Sequence, residues 1–178
     1  MAVNIPQALA NLEANCGVFA VWMVLRHHGV QINIDELIQV CRYDEDGTYS
    51  IALAVALKKL GFDVSFHSDK DPNISSSERM SYKEASVLKI PMGPALSYQD
   101  IQAEIQNGKM VIVYYDTLAG VGNQSLVYSI DEKNICFFDS FEPMSASVFE
   151  KQRQVEGICR QAIVIDDRNF QMHSTKLN

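Results

Sequence analysis

The residue best placed for chemistry is Cys16. It stands where a long apolar stretch, Cys16 to His28, begins, and Gly17 follows it. A stretch apolar on nearly every face reads as a buried central helix. Backbone N–H groups at a helix start are unpaired and carry partial positive charge. A thiolate there is stabilised, so the Cys16 pKa is expected to fall. Gly17 leaves room for a substrate carbonyl. Cysteine is also a common core filler, and position alone weighs the two readings equally.

The other chemical groups are less well placed. His27 and His28 lie at the far end of the Cys16 helix, about 16–18 Å away along its axis. His67 falls on a strand, and His173 falls in a polar tail. Cys41, Cys136 and Cys159 read as small buried hydrophobes. No cysteine pair has zinc-like C-x-x-C spacing. Asp44 to Asp46 lacks the ligand spacing of a calcium loop and reads as a solvated turn. Gly120 and Gly122 bracket Val121 without a phosphate-cradling helix behind them, so a flexible loop is expected. Trp22 and Met23 read as core. No metal and no cofactor is implied.

Around Cys16 the chain divides into a helical first part and a strand-rich second part. Gly29 ends the Cys16 helix, with Arg26, His27 and His28 in its last turn. Asn33 and Glu36 make a capping-box-like start for a helix over Ile34 to Cys41. Thr48 can cap a third helix that runs to Leu60, stopped by Gly61. Phe62, Val64 and Phe66 alternate with polar residues, as in a half-buried strand. Asp69 to Ser81 is polar, with Pro72 and three serines in a row, and reads as a loop. Ser97 and Asp100 make a capping box for a helix ending at Asn107 and Gly108. Met110 to Tyr115 is a buried strand. Ser125 to Ile130 and Ile135 to Asp139 form a hairpin pair, and Ala162 to Ile165 is a last strand. Helices first and antiparallel strands later is an α+β arrangement.

Composition narrows the function classes. The chain has 178 residues, 47% of them apolar, which suits one domain with a core over about residues 5–166 and a polar tail over 167–178. Fifteen basic against 22 acidic residues give a net charge of −7. An acidic chain without a basic block is a poor nucleic-acid binder. The longest apolar run, Val18 to Leu25, falls far short of the ~20 residues that span a bilayer. No positive stretch precedes it, so no signal peptide is read. A cytoplasmic home is expected, or export without such a signal.

The ordered pieces resemble a known family. Asn15-Cys16-Gly17, Val24 to Val30, Asp35-Glu36-Leu37, Gly47-Thr48 and Leu57 to Val64 look like the papain-like cysteine peptidases that process bacteriocin leaders, the double-glycine peptidases. The likeness continues through Gly108-Lys109, Val111 to Val113, Gly122, Leu126 to Asp131 and Asp139. It covers roughly residues 5 to 141. The resemblance implies a papain-like fold, with the Cys helix packed on an antiparallel sheet. It implies Cys16 as the nucleophile and Asp139 as the group that orients the catalytic imidazole.

The imidazole itself is missing. Alignment without a gap from Asp139 puts its position at Asn123, and a one-residue shift puts it at Gln124. An Asn or Gln amide can neither take the thiol proton nor return one to a leaving amine. For the oxyanion hole the family's Gln position falls on Ala10, with Gln7 or Asn11 as substitutes. Two functions follow. One is a cysteine hydrolase acting on a peptide or a glutamine side chain, slow or dead as written. The other is a non-catalytic relative whose groove binds a peptide or partner protein. Retention of Cys16 together with Asp139 favours the first. Either way the expected partner is a peptide or protein, not nucleic acid or membrane.

Overall fold

Hydrophobic alternation along the strands decides the architecture. The computed structural model describes residues 4–172. The chain runs α1 (Gln7–Ala10), α2 (Cys16–His27), α3 (Ile34–Val40), α4 (Ser50–Leu60), β1 (Asp63–Ser68), α5 (Ser76–Val87) and β2 (Met92–Pro94). It continues with α6 (Tyr98–Gln106), β3 (Met110–Asp116), β4 (Gly122–Ile130), β5 (Asn134–Phe137), β6 (Ser140–Ser145), α7 (Ala146–Arg153) and β7 (Ala162–Asp166). The seven strands form one sheet in the order β2-β1-β7-β3-β4-β5-β6. All neighbours are antiparallel except β1 and β2, which are parallel, so the sheet is mixed at one edge.

Side chains alternate faces along a strand, and each face of this sheet has its own core. On one face Ile112, Leu126, Ile163 and Ile165 join α2, α3 and α4 through Val18, Val21, Leu25, Leu37, Leu53 and Leu57. On the other, Val111, Val113, Tyr115, Val127, Ala162 and Val164 join Tyr98 and Ile101 of α6 and Phe149 of α7. A residue's parity on β3, β4 or β7 therefore states which helices it meets. Trp22 and Met23 are core on α2, as expected from their place in the apolar stretch.

Several expected boundaries shift. The polar segment expected to be a loop over Asp69 to Ser81 holds the start of α5, capped by Ser75, whose hydroxyl accepts from the Glu78 N–H at 3.1 Å. Its Ser-x-x-Glu signal is an N-cap, and the polarity is that of a helix with little buried surface. Gly122 opens β4 rather than lying in a loop. Thr48 does not cap α4, whose N-cap is Tyr49. Asn33 caps α3 by accepting from the Asp35 N–H at 2.7 Å. Beyond β7 the described part of the tail packs back on the fold: Phe170 stacks on Phe62 at 4.1 Å, and Asp167 meets His28 at 3.2 Å. Cys41 is fully buried, whereas Cys136 and Cys159 are half-buried. His173 lies outside the described residues.

Candidate active-site cleft

Cys16 is the first residue of α2 and, with β4, lines a cavity of about 380 Å³. Ala14, Asn15, Asp46, Gly47, Thr48 and Tyr114 contribute to its walls, along with Gly122, Asn123 and Gln124. Asn15 does not cap the helix; its side-chain N–H donates to the Leu9 carbonyl at 2.9 Å and ties α1 to the start of α2. Gly17 is required by crowding. A Cβ there would lie 2.1 Å from the Thr48 hydroxyl and 2.5 Å from Gln124 Oε1. The small residue makes room for two protein side chains, not for a substrate carbonyl as expected.

The side chain opposite the thiol belongs to Gln124. The Cys16 S–H donates to Gln124 Oε1 at 3.6 Å, and the Gln124 backbone N–H donates to Sγ at 3.4 Å. The Gln124 side chain is held at every polar position. Its Nε2 donates to the Thr48 carbonyl at 2.8 Å and to the Ser50 hydroxyl at 3.1 Å. Its Oε1 also accepts from the Thr48 hydroxyl at 3.3 Å. A backbone carbonyl can only accept, so the Thr48 contact fixes which end of the amide faces sulfur. The thiol meets a carbonyl oxygen, an acceptor that suits S–H and repels S⁻.

Asn123, the position favoured by gapless alignment, does not meet the thiol. Its side-chain N–H groups donate to Tyr115 Oη and to Ser125 Oγ, each at 2.9 Å, and more weakly to Asp139 Oδ2 at 3.4 Å. Ser125 Oγ donates to Asp139 Oδ2 at 2.8 Å and lies 3.1 Å from Tyr115 Oη. Asp139, in the turn between β5 and β6, thus holds a serine and an asparagine rather than an imidazole. The reason is strand parity. Leu126 packs under α2, so Gln124 shares its face, while Asn123 and Ser125 share the face of Val127.

The electrostatics also depart from expectation. Burial pushes the Cys16 thiol above its ordinary range. The N–H groups of Gln124, Gly17 and Cys16 itself pull it down, while the Asp139 carboxylate pushes it further up. Desolvation outweighs the helix start, so the expected fall does not occur. Gln7 is exposed on α1, and neither it nor Asn11 lines the cavity. No histidine among the described residues lines it either. Nor does any group of three His, Cys, Asp or Glu among them stand ready for a metal.

One further side chain, Tyr114, shapes the cleft and carried no sequence signal of its own. Tyr114 lies across Gly122, where a Cβ would sit 2.3 Å from its hydroxyl. Thr48, Tyr114 and Gln124 also wall a second cavity of about 310 Å³ next to the first.

Comparison with known proteins agrees with this architecture. Residues 5–83 match the model of the Peptidase C39 family. The lactococcin-G-processing and transport ATP-binding protein LagD of Lactococcus lactis subsp. lactis is 39% identical over 51 residues. That stretch is 29% of this chain and 7% of LagD, so the matched part is a small fraction of that relative. The peptidase domain of Streptococcus ComA, a bi-functional ABC transporter involved in quorum sensing, superposes with a TM-score of 0.53. The superposition covers 85% of this chain and 90% of that domain at 18% identity. The fold is papain-like α+β, and the chain is similar to the double-glycine peptidases over the part that carries Cys16. No helix among the described residues is long and apolar enough to cross a membrane.

Proposed function

We propose that this papain-like chain binds an extended peptide in the Cys16 cleft and does not cut it at an appreciable rate. The observation that carries the proposal is the Gln124 amide, locked by Thr48 and Ser50 with its oxygen against the thiol. Thiol attack needs a base that accepts the proton and returns it to the leaving amine. An amide whose donors and acceptors are all committed does neither. The peptide class is argued from the relative: LagD is named for processing lactococcin G, and a cleft of this type suits a leader segment of that kind.

The cysteine-hydrolase reading keeps one observation in its favour. Cys16 still starts a buried helix, and two neighbouring backbone N–H groups, those of Gln124 and Gly17, stabilise its thiolate. The two readings part at residue 124. Gln124→His places an imidazole opposite Cys16, beside a narrow gap that Asp139 also lines. It is expected to raise peptide or thioester hydrolysis by roughly 10²–10⁴-fold over the parent chain, the usual worth of a positioned acid–base. Asn123→His, which points to the other face, is expected to leave hydrolysis at the parent level. Parent hydrolysis already at the level of Gln124→His would overturn the proposal.

A further inference from the structure

The second cavity carries chemistry that the thiol does not use. It adjoins the Cys16 cleft and shares Thr48, Tyr114 and Gln124 with it. Three carboxylate residues line it: Asp71, Glu78 and Glu156. No Lys, Arg or His is among its lining residues. Two arginines close to it in the chain, Arg160 and Arg153, are committed elsewhere. Arg160 pairs with Asp69 through two bonds of 2.7 and 2.8 Å. The Arg153 guanidinium donates to the carbonyls of Leu96 and Arg160 and to Glu150.

Two of the cavity's polar residues are largely buried, Glu78 and Gln161. Glu78 is 5% exposed and forms no ion pair with any described residue. Burial and the neighbouring Asp71 push its carboxyl up, against the Ser75 backbone N–H, which donates to it. Gln161 is 4% exposed and lines the same wall, and its side-chain amide hydrogen-bonds no protein group among the described residues. Buried polar groups are normally paired. A side-chain amide left open towards a cavity asks for a ligand with a hydrogen-bond donor or acceptor. The carboxylates around it select a donor with positive charge. Tyr49 and Tyr114 add aromatic surface, suited to an aliphatic stem or the face of a cation.

We propose that this cavity is a specificity subsite that takes the side chain of a lysine or arginine from a peptide lying in the Cys16 cleft. The inference rests on the peptide-binding reading above and deepens it by naming one side chain of the ligand. The ammonium or guanidinium group enters among Asp71, Glu78 and Glu156 and donates to the Gln161 side-chain oxygen. Charge-assisted hydrogen bonds in a partly dry cavity discriminate more strongly than the same bonds at the surface.

The test uses the full chain and end-blocked extended peptides, each carrying one lysine at a scanned position and paired with a norleucine twin. In an anisotropy titration, at least one lysine peptide is expected to bind about tenfold more tightly than its twin. Glu78→Gln with Asp71→Asn should close that gap without weakening the norleucine peptide. Gln can still serve the start of α5, and Asn can still accept from the Asn73 N–H as Asp71 does at 2.7 Å. Equal affinity of every pair, with binding intact, overturns the subsite and leaves the peptide reading standing. Should no peptide bind, Nα-acetyl-lysine amide alone decides. A shift of the Gln161 side-chain NMR signals, abolished in the double variant, supports the subsite while the peptide reading falls. No shift overturns both.

Discussion

At Cys16 three local effects compete, and their sum sets the thiol's reactivity. The helix start and the Gln124 and Gly17 N–H groups favour S⁻, while burial and the Asp139 carboxylate disfavour it, with burial the largest. Iodoacetamide labelling of Cys16 against pH is therefore expected to rise only above the ordinary thiol range near ~8.5. A labelling midpoint near neutrality would mark an activated thiolate and contradict this balance. Gly17 belongs to the same scale. Gly17→Ala drives a methyl group into the Thr48 hydroxyl and Gln124 Oε1. It is expected to lower stability by about 1–3 kcal/mol, as overpacking of a buried site does. Urea denaturation checks it, and an unchanged midpoint would mean that the crowding at α2 and β4 relaxes freely.

At the scale of elements, β4 carries two polar programmes on its two faces. Gln124 serves the thiol side, and Asn123 with Ser125 serves Tyr115 and Asp139. The second programme is interlinked around the buried Ser125 and Tyr115, so Ser125→Ala removes a partner from three groups at once. A loss of about 1–3 kcal/mol is expected, from polar groups left without partners. The pH profile of Cys16 labelling should stay where it is, because Ser125 itself makes no hydrogen bond to the thiol, which is held by Gln124. A shift of that profile would show that Asp139 acts on the thiol through Ser125.

This is also where sequence reasoning reached its limit. The α2 stretch, the Ser97 capping box, the strand over Met110 to Tyr115 and the hairpin after it were legible because periodicity and caps are local. The face of residue 124 was not, because it depends on which helix packs on Leu126. A one-residue error in register reverses every side chain of a strand. The helix α5 was hidden by its polarity, although Ser75 and Glu78 marked its start. The short strand β2 was hidden by its length of three residues. The cavity lined by Asp71, Glu78, Glu156 and Gln161 joins segments far apart in the chain and has no local signature.

Across the whole molecule, two cores share one sheet, and the end of the described chain folds back to close the first of them. Phe170 stacks on Phe62, and His28 lies against both rings and against Asp167. Burial lowers the His28 pKa, and Asp167 opposes this only in part. Folding therefore disfavours the protonated ring. In the unfolded chain the ring protonates near pH ~6.5, so this contribution is intact above that pH and is lost as pH falls below it. The urea midpoint of the parent chain should drop between about pH 7 and pH 5 more steeply than that of His28→Gln. Parallel curves for the two proteins would remove His28 as the cause.

The claim on which the rest depends is that the cleft holds a peptide without cleaving it. The most direct measurement incubates the chain with a bacteriocin-leader-like peptide, follows binding at equilibrium, and weighs the recovered peptide by mass spectrometry. The account predicts saturable binding that Cys16→Ala preserves, with the peptide returned at its full mass. Fragments that accumulate with the parent chain and vanish with Cys16→Ala would contradict it.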